Sequence, residues 1–278
     1  MIRAFKKFLK TALPAPAVQG ISKLQTKTKA FIFQKSLPKL ASLYFTDKWN
    51  IHWYAGHYQH PFQGCRTQKL NVLEIGVGGF ADPKSGGESL RMWKAYFRKS
   101  TIYGIDLYDK KAIEEDRIRT FQGSQEDAGF LRRASDEAGG FDIIVDDGSH
   151  VNCHVIETFH ILFPRLKDGG IYVVEDTQSS YWPGFGGSSD DLTRADTLMN
   201  FFKGLADGLN YEEFVRAGYA PTYYDQHITS MHFYHNMIFI YKGENREGSN
   251  MLEKNRPLED SIVKDYRKAP GYQKDPHV

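Results

Sequence analysis

From residue 70 onwards, short runs of Val, Ile and Leu alternate with amphipathic stretches. KLNVLEIGV reads as a first strand, ESLRMWKAYF as a helix, and TIYGIDLYD as a second strand with a helical segment after it. IRTFQGSQ contains the third strand and EDAGFLRRASDEAG the next helix. FDIIVDDGSH is then the fourth strand, HVIETFHILFPRL a helix and GGIYVVEDT the fifth strand. Strands buried on both faces of a parallel sheet read as continuous apolar runs, and regular alternation with helices predicts a Rossmann-like α/β sheet covered on both sides. Residues 193–208 read as a further helix. Strand-like runs at 222–230 and 232–242 follow too closely for a parallel return, so they predict an antiparallel hairpin at the sheet edge.

The flanks are less regular. Residues 2–13 put Ile2, Phe5, Phe8, Leu9 and Leu13 on one helical face, away from most of Arg3, Lys6, Lys7 and Lys10. Such a stretch is a helix packed on its own domain, a partly ordered terminus, or a helix that touches a membrane surface. A helical segment is expected over 20–44, and FTDKWNIHWYAGHYQHPF then crowds His52, His57 and His60 among tryptophans and tyrosines. Spacings of five and three leave at most two of these histidines on one helical face, so an aromatic lid is the better reading than a zinc site. After Gly243 the chain turns polar, and an extended or partner-bound tail is expected. The expected division is a helical segment at 1–45, a main domain at 46–243 and a tail at 244–278.

Composition narrows the classes. The 278 residues carry 36 basic and 34 acidic side chains, for a formal charge of +2, so no single-sign field calls for nucleic acid. No run approaches the roughly 18 apolar residues of a transmembrane helix. Lys10 and the nearby prolines break any signal-peptide core. The two cysteines, Cys65 and Cys153, have no framework spacing, which fits a reduced, cytoplasmic protein.

The fourth and fifth strands each end in a pair of acids, Asp146 with Asp147 and Glu175 with Asp176. Ligands collect at the carboxyl ends of parallel strands, so these four carboxylates face a candidate site. The loop after the first strand, EIGVGGFADPKSGGES, meets the G-x-G-x-x-G/A pattern at Gly76, Gly78 and Ala81. A dinucleotide fingerprint opens directly into its helix, whereas Pro83, Gly86 and Gly87 postpone this helix to about Glu88, with Ser89 at its start. Glu74 suits a cationic amino group better than a pyrophosphate. Asp106, ending the second strand, is placed for ribose hydroxyls, and Gln125, after the third, for an adenine. An adenosine bearing an ammonium and no phosphate is S-adenosylmethionine.

In the order LEIGVGG, GGESLRMWKAYF, IYGIDLYDK, GSQED, FDIIVDDGSH and YVVEDTQSSYWP, the chain resembles the metal-dependent class I S-adenosylmethionine methyltransferases typified by macrolide sugar O-methyltransferases of the mycinamicin type. More distantly it is similar to the cephalosporin hydroxylase and rhamnosyl O-methyltransferase group. The match runs from about residue 46 to 243. The resemblance implies a seven-stranded sheet whose last strand is antiparallel, Mg²⁺ held by Asp147, Glu175 and Asp176, and His150 as general base. It also implies a departure: the macrolide enzymes carry a sizeable auxiliary domain where only a short N-terminal segment is expected here.

The chemistry agrees with that implication. Hard oxygen donors favour Mg²⁺, which acidifies and orients a hydroxyl, and an imidazole can take the hydroxyl's proton near neutral pH. Asp146 is expected to touch the cofactor or to order its loop. Trp53, Tyr54, Tyr181 and Trp182 are candidates for stacking on a sugar. The expected activity is methylation of a hydroxyl on a sugar, glycosylated small molecule or glycan, by a homo-oligomer. The competing classes are an NAD(P)-dependent oxidoreductase and a non-catalytic nucleoside-binding module.

Overall fold

The computed structural model describes residues 15–249 and 251–257. The amphipathic stretch at 2–13 and the tail beyond 257 lie outside the described residues. One sheet of seven strands organises the molecule. β1 (Asn71–Ile75), β2 (Thr101–Asp106), β3 (Ile118–Gln122), β4 (Phe141–Asp146) and β5 (Leu166–Glu175) run parallel, and β6 (Ile228–Tyr234) and β7 (Met237–Lys242) form the antiparallel edge. Their order is β3-β2-β1-β4-β5-β7-β6, so the topology reverses between β1 and β4. In open α/β sheets that reversal leaves a crevice beyond the strand ends, and the predicted acids lie at or just before those ends.

The apolar runs divide strictly between the two sheet faces. Ile143, Val145, Ile171 and Val173 point to one, against Leu37, Leu40, Tyr58, Phe62 and Trp93. Ile144, Tyr172 and Val174 point to the other, against Leu131, Val155, Phe159 and Phe202. The first layer is built by α1 (Ala15–Phe33), α2 (Leu37–Tyr44), α3 (Tyr54–Gln63) and α4 (Glu88–Tyr96); the second by α5 (Ala128–Ala138), α6 (Asn152–Leu162) and α7 (Leu198–Gly208). Leu37, Leu40 and Ala41 are fully buried, so α2 is part of the core and not an appendage.

Four expectations are refined. The helix expected over 20–44 breaks between Phe33 and Leu37, where the Ser36 side chain caps α2 and Pro38 sits in its first turn. After β2 there is only a single 3-10 turn at Lys111–Ile113, because Lys110 is drawn inward and donates to the carbonyls of Phe80, Asp82 and Ser85. Residues 223–227 are helical (α8, Tyr223–His227) and not extended, since Thr222 and Asp225 form a reciprocal capping box. The hairpin therefore starts at Ile228 and turns at His235 and Asn236, the latter at φ 60°, which asparagine tolerates. The first part of the tail forms a small hairpin, and Asn255 donates to the carbonyls of Tyr211 and Phe214. Among the described residues, no helix is long and apolar enough to cross a membrane.

Candidate active site

The acids separate into two groups that share Asp147. The outer group is Asp147, His150 and Asp176, each offering one ligand atom within 4.8 Å of the others. The inner group is gathered by Lys48, whose side chain is 1% exposed. Its ammonium donates to Asp147 Oδ2 at 2.7 Å and to both oxygens of Glu175 at 2.8 Å, and it lies 3.0 Å from Glu74 Oε1. Trp93 Nε1 donates to the other Glu74 oxygen at 3.0 Å, and the Tyr58 hydroxyl donates to Glu175 Oε1. Burial alone would lower the Lys48 pKa, but the carboxylates of Asp147, Glu175 and Glu74 outweigh it and hold the group well above its usual value.

Strained backbone aims the outer group. His150 and Asp176 have φ of 57° and 53°, a left-handed conformation that costs roughly 1–3 kcal/mol for a residue with a side chain. The loop after β4 is fixed where Asp147 N donates to Ile75 O at 3.0 Å and Ser149 N donates to Gln125 Oε1 at 2.6 Å. Asn152, buried at the start of α6, donates to the carbonyls of Ser179 and Phe185 and accepts from Leu198 N. That ties the segment after β5 to the segment after β4. His150 Nε2 comes to 3.5 Å from Asp176 Oδ2. Burial works to raise the Asp176 pKa, yet hydrogen bonds from Tyr54 and Gln178, with His150 and His52 nearby, hold it below the usual carboxylate value.

Two adjoining cavities fill the crevice and share Gly76, Asp106 and Gly148 as lining. One, of about 280 Å³, is walled by Ile105, Leu107 and Gln125. The other, of about 540 Å³, is walled by Gly78, Ser89, Asp147, His150 and Asp176. Gly76 at φ 91° lets the chain pass where a Cβ would lie 2.1 Å from Asp147 O. Asp106 accepts from Val77 N at 3.0 Å and Tyr108 N at 2.9 Å, so the ribose candidate also braces the glycine loop. Asp146 lies beneath: it is 1% exposed and accepts from Tyr172 and Gln125. Its pKa is pushed up to about 7 by burial.

Most expected site residues are therefore gathered at this crevice, with three qualifications. Glu74 is fully buried and directed at Lys48 and Trp93, and lines neither cavity. Glu175 turns both oxygens to Lys48. Of the aromatic candidates, Tyr54 is buried and donates to Asp176 at 2.5 Å, while Trp53, Tyr181 and Trp182 are exposed at 60%, 37% and 50%. Instead, Phe45, Phe80 and Tyr108 line the larger cavity. Sequence reasoning missed these three, together with Lys48 and Tyr58. The one signal available was the position of Lys48 inside the aromatic DKW stretch, and a single lysine there reads as an ordinary surface residue.

No protein-family model matches the chain. Individual relatives do. Mycinamicin VI 2''-O-methyltransferase of Micromonospora griseorubida is 47% identical over 214 residues, which cover 76% of this chain and 54% of that protein. A tetracenomycin relative from Streptomyces olivaceus, 8-demethyl-8-alpha-L-rhamnosyl tetracenomycin-C 2'-O-methyltransferase, is 43% identical over 236 residues, 84% of this chain and 61% of that one. Among solved structures, the MycE methyltransferase from the mycinamycin biosynthetic pathway, in complex with Mg and SAH, matches with a TM-score of 0.77 at 43% identity, over 84% of this chain and 60% of that one. This chain is homologous to the sugar O-methyltransferases. Its sheet is that of a class I methyltransferase, with the antiparallel hairpin at the edge. The chain spans about half the length of the mycinamicin relative, 54%.

Proposed function

We propose that this chain is an S-adenosylmethionine-dependent and Mg²⁺-dependent O-methyltransferase acting on a hydroxyl of a sugar carried by a small molecule or glycan. The observation that carries this reading is the convergence of Asp147, His150 and Asp176 on the cavity next to the one bounded by Asp106 and Gln125. Asp106 and Gln125, which line the smaller chamber, would hold the adenosine of that cofactor. Gly76, Gly78 and Ser89 line the passage to the larger one, and Asp146 orders the loop from below.

The donor set fits a hard cation: it is rich in carboxylate oxygen and without cysteine. Asp147 and Asp176 present oxygens to the place where it would sit, and Glu175 completes the acid set behind them. When bound, Mg²⁺ supplies acidity and orientation to a sugar hydroxyl, and S-adenosylmethionine supplies the methyl group. His150 Nε2 takes the hydroxyl's proton, held in register by Asp176. An acceptor hydroxyl held in the crevice would meet the methyl group in line, and such positioning would supply much of the remaining rate. Tyr54 fixes Asp176, and the exposed rings of Trp53, Tyr181 and Trp182 receive the outer part of the acceptor. The domain proposed to do this runs from 46 to 243, with the preceding helices covering its core. The unpaired Cys65 and Cys153 support a reducing, cytoplasmic setting, and the β6 edge offers a surface for a homo-oligomer. The oxidoreductase reading is disfavoured by the length of the loop between Gly76 and α4.

Transfer of labelled methyl from S-adenosylmethionine to free, nucleotide-linked and glycan-linked sugars, with and without Mg²⁺, tests the proposal. Transfer to one class that stops on chelation is expected. Binding of NADH without S-adenosylmethionine overturns it.

A further inference from the structure

Lys48 is the least expected charge in the crevice. An ammonium buried to 1% exposure meets carboxylates from the ends of three neighbouring strands: Glu74 of β1, Asp147 after β4 and Glu175 of β5. Its nitrogen has four carboxylate oxygens at 2.7 to 3.0 Å, an arrangement close to a cation's coordination shell. Glu74 Oε1 forms an ion pair with it at 3.0 Å. Asp147 belongs both to this group and to the outer trio with His150 and Asp176.

We propose that the Lys48 ammonium occupies an inner cation position, as a positioning residue that holds Asp147 and Glu175 from behind and restricts the crevice to one divalent ion at its outer position. The inference rests on the metal-dependent reading above. Four carboxylates, those of Glu74, Asp147, Glu175 and Asp176, crowd a poorly hydrated region, and their mutual repulsion demands more than one positive centre. Hard oxygen donors at such spacing can hold a divalent cation where a cavity of the right size is left among them. A lysine anchored from the segment between α2 and α3 fills that cavity permanently. It fixes the acids in one arrangement before any ion arrives, so cation binding needs less rearrangement.

The test is the number of Mn²⁺ ions bound per full-length chain, read from the electron paramagnetic resonance of free Mn²⁺, for wild type, Lys48→Ser and Lys48→Arg. Lys48→Ser is expected to take one more ion than wild type, and Lys48→Arg the same number as wild type. Adding Glu74→Gln to Lys48→Ser is expected to remove the additional ion. An unchanged or lower count in Lys48→Ser, or an additional ion that survives Glu74→Gln, overturns the proposal. If Lys48→Ser is unfolded without metal, recovery of native circular dichroism on adding Mn²⁺ supports the inner position, and failure to recover at millimolar Mn²⁺ overturns it. A wild-type chain that binds no Mn²⁺ sinks the metal-dependent function, whereas the difference between wild type and variant still decides the role of Lys48.

Discussion

Tyr54 and Asp176, separated by 122 residues in the chain, are joined by a hydrogen bond of 2.5 Å from the phenol to the carboxylate. The contact ties the first residue of α3 to the outer acid group and replaces part of the water that Asp176 loses on burial. It sets how firmly the acid faces His150.

Replacing Tyr54 by Phe removes that donor and little else, since the ring stays packed. A hydrogen bond to a charged group contributes about 1.5–3 kcal/mol, so divalent-cation affinity is expected to fall by about tenfold or more. Calorimetric titration with Mn²⁺ measures this, and an unchanged affinity would mean that Asp176 is held by Gln178 alone.

The His150 position is left-handed, and asparagine is the side-chain-bearing residue that adopts that conformation most readily. His150→Asn therefore keeps the backbone while removing the proposed base. Turnover is expected to drop by about a hundredfold or more, with S-adenosylhomocysteine affinity within about twofold of wild type. Near-normal turnover would remove His150 from the proton transfer.

Much of this arrangement is legible in the chain because it depends on local patterns. Continuous runs such as IIV before Asp146 and IYVV before Glu175 mark buried parallel strands, and a ligand crevice follows from strand order. The glycine spacing separates this loop from a dinucleotide fingerprint without any coordinates. Lys48 was not legible, because its role depends on a side chain crossing from outside the periodic region to meet Glu175, 127 residues away. The inward turn of Lys110 was hidden for the same reason, as was the cavity lining by Phe45 and Phe80.

Gly76→Ala tests the closest backbone approach in the site. A Cβ there would meet Asp147 O at 2.1 Å, on a backbone at φ 91° that other residues seldom adopt. The loops after β1 and β4 would have to part, which moves the carboxylate of Asp147. A loss of about 2 kcal/mol or more in folding stability is expected by urea denaturation, together with weaker Mn²⁺ binding. Wild-type stability in the variant would show that the two loops are free to separate.

Asp146 makes folding stability depend on pH in a direction opposite to that of a salt-bridged acid. Burial pushes its carboxyl up to about 7, against the Gly148 N–H and the Tyr172 hydroxyl, which favour the charged form. In the unfolded chain the same group titrates near ~3.9. Between these values the folded chain keeps a proton that the unfolded chain has released, so the stabilisation is fully present below about pH 4. It is lost as pH rises through about 7. Asp146→Asn removes this proton while retaining the side chain's size. From about pH 5 to about pH 8, wild-type stability is expected to fall by about 2–3 kcal/mol more than that of Asp146→Asn. Urea denaturation of both proteins at the two pH values measures the difference, and parallel pH profiles would mean that Asp146 is already ionised in the folded chain at about pH 5.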